Sequence, residues 1–293
     1  MPKIKAFILL HFIVFLWGFT GIIGKLLPQS PLIIVWYRIL IACVGLVLFL
    51  LVSKTSLRLN RNRLVPVMLV GIVVALHWIT FYYAIQISTA SLGILCLATT
   101  TIHVVWLEPV ILKTSFKWNK LLFSLFVVAG VAFIARDFKG KVLLALFLGL
   151  ISALLAGIFS VSNARLAKEI NAPILSLYEL LTGFIGISLY LALIELPLEA
   201  FQISLTDAFW LLFLGLVCTS FAFIAAINLV KLLGAYTVSL TINLEPVYTI
   251  VLAILLLNEH KVLSLEFYIS TMIIIGTLLL NAWVNREPRE IIS

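Results

Sequence analysis

The sequence predicts an all-α integral membrane protein, with ten transmembrane helices arranged as two inverted five-helix repeats. Three observations carry this. Of the 293 residues, 63% are apolar and 11% charged, where a soluble domain has about 45–50% and about 25%. Too little polar surface remains to cover a globule in water. The apolar residues fall into ten runs: 6–27, 32–53, 64–86, 90–112, 121–135, 142–164, 173–196, 208–231, 235–258 and 264–284. A hydrocarbon core of about 30 Å asks about 20 such residues of each helix. Finally, short motifs recur in the same order in both halves. The same numbers exclude a large soluble domain, disorder, a collagen and a disulfide scaffold.

The first run begins after Lys3 and Lys5 and has the look of a signal peptide. It continues through Trp17, Gly18 and Gly21 with no small-residue cleavage site, so it reads as a spanning helix. Gly18, Gly21 and Gly24 recur every three residues, as Gly149, Ala153 and Gly157 recur every four in the sixth run. Small residues at such spacing let helices approach closely. The fifth run is short: fifteen residues reach only about 23 Å, so Lys117, Lys120 and Arg136 are expected to snorkel outward. Pro109 and Pro246 interrupt the fourth and ninth runs and are expected to kink them. Cys43, Cys96 and Cys218 lie far apart inside apolar runs and read as small packing residues.

Charge sets the topology. With the N-terminus inside, fourteen Lys and Arg fall in cytoplasmic segments and five in outer ones, with Arg38 left inside a helix. Glu195, Glu199 and Asp207 share one outer loop that has neither Lys nor Arg. The positive-inside rule therefore favours ten spans with both termini cytoplasmic. The net charge of +8 is a topology signal and implies no nucleic-acid partner.

The repeat pairs Leu16-Trp17-Gly18 with Ala156-Gly157, Trp36-Tyr37-Arg38 with Leu177-Tyr178-Glu179, Ser88-Thr89-Ala90 with Leu233-Gly234-Ala235, and Gly130 with Gly276. Residues 1–136 form one five-helix repeat, 142–284 the second, and 285–293 a cytoplasmic tail. Five is odd, so the second repeat enters the membrane from the opposite side. Inverted repeats are a recurring transporter design, with the substrate near the midplane between the halves.

An ionisable side chain at the bilayer centre costs about 2.5–3.5 kcal/mol on insertion scales, so those within the runs are candidates. Arg38 and Glu179 fall at equivalent depths on opposite sides, as a pair of gate charges would. His77, Trp78 and Tyr82 place an imidazole among aromatic rings, which suits a planar or cationic group. His103 continues a polar stripe from Thr99 and Thr100. Glu245 falls at the midplane, with Thr241 one turn before it. A carboxyl there could bind a substrate ammonium or carry a coupling proton. His11 reads as structural and Glu108 as snorkelling.

Phe15-Leu16-Trp17-Gly18, Trp36-Tyr37-Arg38, Leu244-Glu245-Pro246-Val247 and Leu257-Asn258-Glu259 resemble the drug/metabolite transporter superfamily, EamA type. Thr99-Thr100-Thr101 stands where the second half has Leu244-Glu245-Pro246, so a strictly two-fold site is not expected. The resemblance implies inner-membrane export of small metabolites, often amino acids or toxic organic compounds, with no cofactor and no nucleotide hydrolysis. Membrane lipid, protons as coupling ion and a second copy of the chain are the partners in view. No phosphate loop occurs, and no catalytic cluster supports a membrane enzyme. A flippase for lipid-linked sugars on the same scaffold is the alternative.

Overall fold

The computed structural model describes residues 2–136, 139–233, 238, 241–242 and 244–284. The elements are α1 (Lys3–Leu26), α2 (Pro31–Val52), α3 (Arg61–Ile87), α4 (Ala90–Leu97), α5 (Thr100–Leu112), α6 (Trp118–Ala135), α7 (Lys141–Leu166) and α8 (Ala172–Leu193). Then come α9 (Leu205–Leu212), a π-helical segment (Phe213–Phe221), α10 (Ala222–Leu233), α11 (Glu245–Leu257) and α12 (Leu265–Val284). Among the described residues there is no strand, and eight helices are long and apolar enough to cross a membrane. In that reckoning α4 and α5 count as one span, as do α9 and the π segment with the start of α10. Glu245–Leu257 and Leu265–Asn281 are shorter apolar helices.

Large apolar side chains point outward along the whole bundle, among them Ile8, Leu69, Phe126, Phe147, Leu189 and Met272. In water such a surface would be an aggregation liability; in lipid it is the solvent-facing side.

The two halves match element by element. The helices α2 and α8 each have 22 residues, open with Pro in the first turn, and are followed two residues on by a left-handed residue, Lys54 or Glu195. The helices α5 and α11 each have 13 residues and end on a left-handed C-cap, Lys113 or Asn258. Contacts between elements obey the same exchange. Matching helices pack on one another, α2 on α8 and α6 on α12. The pairing of α3 with α7 is mirrored by that of α1 with α10 and the π segment, and α3 on α8 by α2 on the π segment.

Close crossings explain several glycines. A Cβ on Gly71 would lie 2.3 Å from the Glu179 carbonyl oxygen, and one on Gly215 would meet Ile41 at 2.6 Å and the Arg38 carbonyl at 3.2 Å. These are matching places in the two halves. The repeat Gly18, Gly21 and Gly24 receives Tyr248, Thr249 and Tyr82, while Gly149 and Gly157 receive Cys96 and His103. Both small-residue stripes are packing seams.

Three local features differ from expectation. The fifth span has 18 residues rather than fifteen, because Trp118-Asn119-Lys120 join its first turn; about 27 Å at 1.5 Å per residue removes the shortfall. The fourth run breaks between α4 and α5, where Ala98, Thr99, Thr101 and Ile102 make i→i−3 backbone bonds and Thr99 Oγ1 donates to the Cys96 carbonyl at 2.7 Å. The ninth run is broken as well. Its residues 235–237, 239, 240 and 243 lie outside the described ones, but Leu244 N–H bonds the Thr241 carbonyl and a new helix starts at Glu245. Pro246 therefore sits in a first turn, where its missing N–H costs nothing.

Candidate functional site

The site is built around Arg38. About two turns into α2, its side chain is buried, only 4% exposed. It lies 3.7 Å above the Trp78 ring, donates from Nη1 to Tyr82 Oη at 3.0 Å and from Nε to Thr219 Oγ1 at 3.1 Å. Both α3 residues are themselves buried, and the Tyr82 ring fills the space that Gly24 leaves on α1.

Thr219 belongs to the π segment. A wide turn frees carbonyls from the ordinary i→i−4 ladder, and π segments recur at functional sites. Here Thr219 Oγ1 donates to the Leu214 carbonyl and Ser220 Oγ to the Gly215 carbonyl, each five residues back. With its proton so committed, Thr219 Oγ1 presents only lone pairs to Arg38. All partners of the guanidinium are thus neutral, and among the described residues no carboxylate is within ion-pair distance. A buried cation in that state is unusual.

Glu245 is the acidic counterpart. The structure places it as the first residue of α11, not in the middle of a continuous helix. An anionic group is favoured at a helix N-terminus by the exposed N–H groups and the macrodipole. Its carboxyl is half-buried, has no hydrogen-bond or ion-pair partner among the described residues, and lies in the electrostatic field of Arg38 without touching it. One face of α1 links the two. Gly18 and Gly21 hold Tyr248 and Thr249 of the first turns of α11, and Gly24 holds Tyr82. Gly18 and Gly24 are about 9 Å apart along the helix. Thr241 is buried just before the break.

The other expected residues are dispersed. His77 faces α7, where Nδ1 meets Ser152 Oγ at 2.8 Å and Ser152 Oγ also donates to the His77 carbonyl; it fixes α3 to α7. His103 sits half-buried beside Gly157 and Trp106, away from Arg38. Glu179 does not meet Arg38: its only partner among the described residues is Asn163 Nδ2, at 3.2 Å. Glu108 does more than snorkel, since it pairs with Lys120 at 3.0 Å. His11 bonds Tyr248 Oη on the surface. Cys43, Cys96 and Cys218 are buried free thiols.

Two residues outside the expected set act as caps at one end of the bundle, Glu259 across the halves and Lys25 within the first. The Glu259 carboxylate accepts from the N–H groups of Ala90 and Ser91, at 2.7 and 3.1 Å, and so caps α4. Lys25 Nζ donates to the carbonyls of Ile85, Gln86 and Ser88 and caps α3. Each charge sits at the helix end whose dipole favours it.

The sequence matches the EamA-like transporter family twice, over residues 4–136 and 143–282. No curated protein matches. A solved structure titled only as a crystal structure of a protein is 16% identical and superposes with a TM-score of 0.65, over 98% of this chain and all of that one. At that identity the likeness concerns the fold.

Proposed function

The chain belongs to the EamA-like transporter family, and from that premise we propose that it is a secondary transporter exporting small metabolites, amino acids or organic compounds among them, by alternating access. Members of the family are membrane transporters of small molecules. In this reading the two halves are inverted five-helix repeats that complete ten spans, set in the inner membrane with both termini in the cytoplasm.

The observation that carries the reading is Arg38, held over Trp78 by Tyr82 and Thr219 with no carboxylate paired to it among the described residues, and the Glu245 carboxyl in its field, likewise without a partner among them. Opposite charges held apart inside a bundle leave each without its best partner. A small molecule bearing a carboxylate and an ammonium satisfies both, and the aromatic rings hold its apolar part. Arg38 and Glu245 come from different halves, so rocking one half against the other makes and breaks the site. Thr241 is buried just before the break that precedes Glu245; His77 holds α3 against α7, and His103 lies apart, beside Gly157 and Trp106. Efflux of radiolabelled amino acids from cells with and without the protein tests the reading. Equal efflux from both would overturn it.

A further inference from the structure

A second buried carboxyl is left over by this site. Glu179, in the second turn of α8, is 2% exposed. Asn163 on α7 donates from Nδ2 to Oε2, but two buried oxygens of the pair, Glu179 Oε1 and Asn163 Oδ1, have no partner among the described residues. Both are acceptors when the carboxyl is ionised, so nothing in the pair can satisfy either. A single added proton changes this. A carboxylic acid and a primary amide can close a ring of two hydrogen bonds, N–H to one carboxyl oxygen and O–H to the amide oxygen. The first of these bonds is in place, and the two orphan oxygens are the atoms that the second requires.

Among the described residues, the surroundings supply no alternative charge. From α3, Gly71 meets the Glu179 backbone; of that helix's ionisable residues, His77 is turned to Ser152, Tyr82 to Arg38 and Arg63 to Glu169, while Arg61 and Tyr83 are exposed. From α2, Arg38 is committed to Tyr82 and Thr219. On α7, Arg165 is exposed and reaches the Ile111 carbonyl. The one charged residue of α10, Lys231, has its side chain outside the described residues. A cavity of about 260 Å³ lies at the start of α8, lined by Arg58, Asn60, Arg63, Glu169, Asn171 and Ile174 among others. Ile174 is about 7.5 Å from Glu179 along α8.

We propose that Glu179 and Asn163 form a proton-binding site, an acid–amide pair that carries the coupling proton of the transport cycle. Glu179 holds the proton on Oε1 and shares it with Asn163 Oδ1 in the conformation described, and releases it through the cavity beside Ile174 when α7 and α8 part. The coupling role rests on the transporter reading; the proton site itself does not.

The test has two arms on the purified full chain in lipid. In pH-difference infrared spectra, a buried carboxylic-acid carbonyl band is expected that titrates, vanishes in Glu179→Gln, shifts in Asn163→Leu and survives in Glu245→Gln. A wild-type spectrum unchanged by either Glu179→Gln or Asn163→Leu would overturn the site. So would a band indifferent to pH but displaced by sodium. In proteoliposomes loaded with pooled radiolabelled amino acids, Glu179→Gln should lose gradient-driven flux by at least about tenfold while retaining exchange at equal pH. Undiminished gradient-driven flux in that variant would defeat the coupling role. A wild type that moves no amino acid defeats the transporter reading instead, and the infrared arm alone then decides the site.

Discussion

Gly24→Ala should damage the Arg38 site from a helix that does not contact the guanidinium. A Cβ at position 24 would stand 2.2 and 2.3 Å from Cδ1 and Cε1 of Tyr82, well inside any tolerable carbon–carbon contact. The ring is fully buried and tied to Arg38 by its hydroxyl, so it cannot yield without giving up that bond. Overpacking a core costs about 1–3 kcal/mol, and a hydrogen bond to a charged group is worth about 1.5–3 kcal/mol. Together these give a loss of about 2.5–6 kcal/mol. Gly186 is the control: a Cβ there meets nothing within 4 Å, and Gly→Ala in an open helix position gains up to about 1 kcal/mol. Denaturant titration of both variants in detergent micelles measures the difference, and transport by Gly24→Ala should fall with the misplaced guanidinium. If the two alanine variants unfold at the same denaturant concentration, the packing argument around Tyr82 is wrong.

Glu245→Gln keeps the side chain's shape but removes its ionisation, so efflux should fall at least about tenfold, about 1.4 kcal/mol. Wild-type efflux would leave Glu245 outside the substrate site. Glu259→Ala strips the cap from Ala90 and Ser91 and should lower stability by about 1–3 kcal/mol in the same denaturant assay; an unchanged midpoint would show the cap to be replaceable by water. Reporter fusions after Arg63 and after Arg289 should be cytoplasmic and one after Glu199 external. A cytoplasmic Glu199 fusion would contradict the inverted repeat.

Helical class and span positions were legible in the sequence because lipid forces them: every backbone group must be bonded within its own segment, so long apolar runs have one outcome. Arg38, Trp78 and Tyr82 were legible for a related reason, since a charge and polar rings kept in such runs must face inward. What escaped was everything decided between helices. Thr219 looks like any hydroxyl in an apolar run; the Thr219-Ser220 pair following Gly215 is a faint sign of a widened helix. Asn163 stands too near the end of its run to attract notice. The caps from Lys25 and Glu259 act across 60 and 169 residues of chain, and no local pattern announces such a partner. Glu245 was expected within a continuous helix but opens a new one, because Pro246 is compatible with a kink and with a fresh start alike.

The cap on α4 also orders the protein's assembly. Ala90 and Ser91 are made with the first half, yet the carboxylate that takes their N–H groups is residue 259, made with the second. Until Glu259 leaves the ribosome, the start of α4 has two bare donors at a place with little water. The first half is therefore an unfinished object throughout synthesis of the second, and only the completed chain can close it. A gene split between the halves would yield two fragments that each carry an open end, and their association would be measured at this joint.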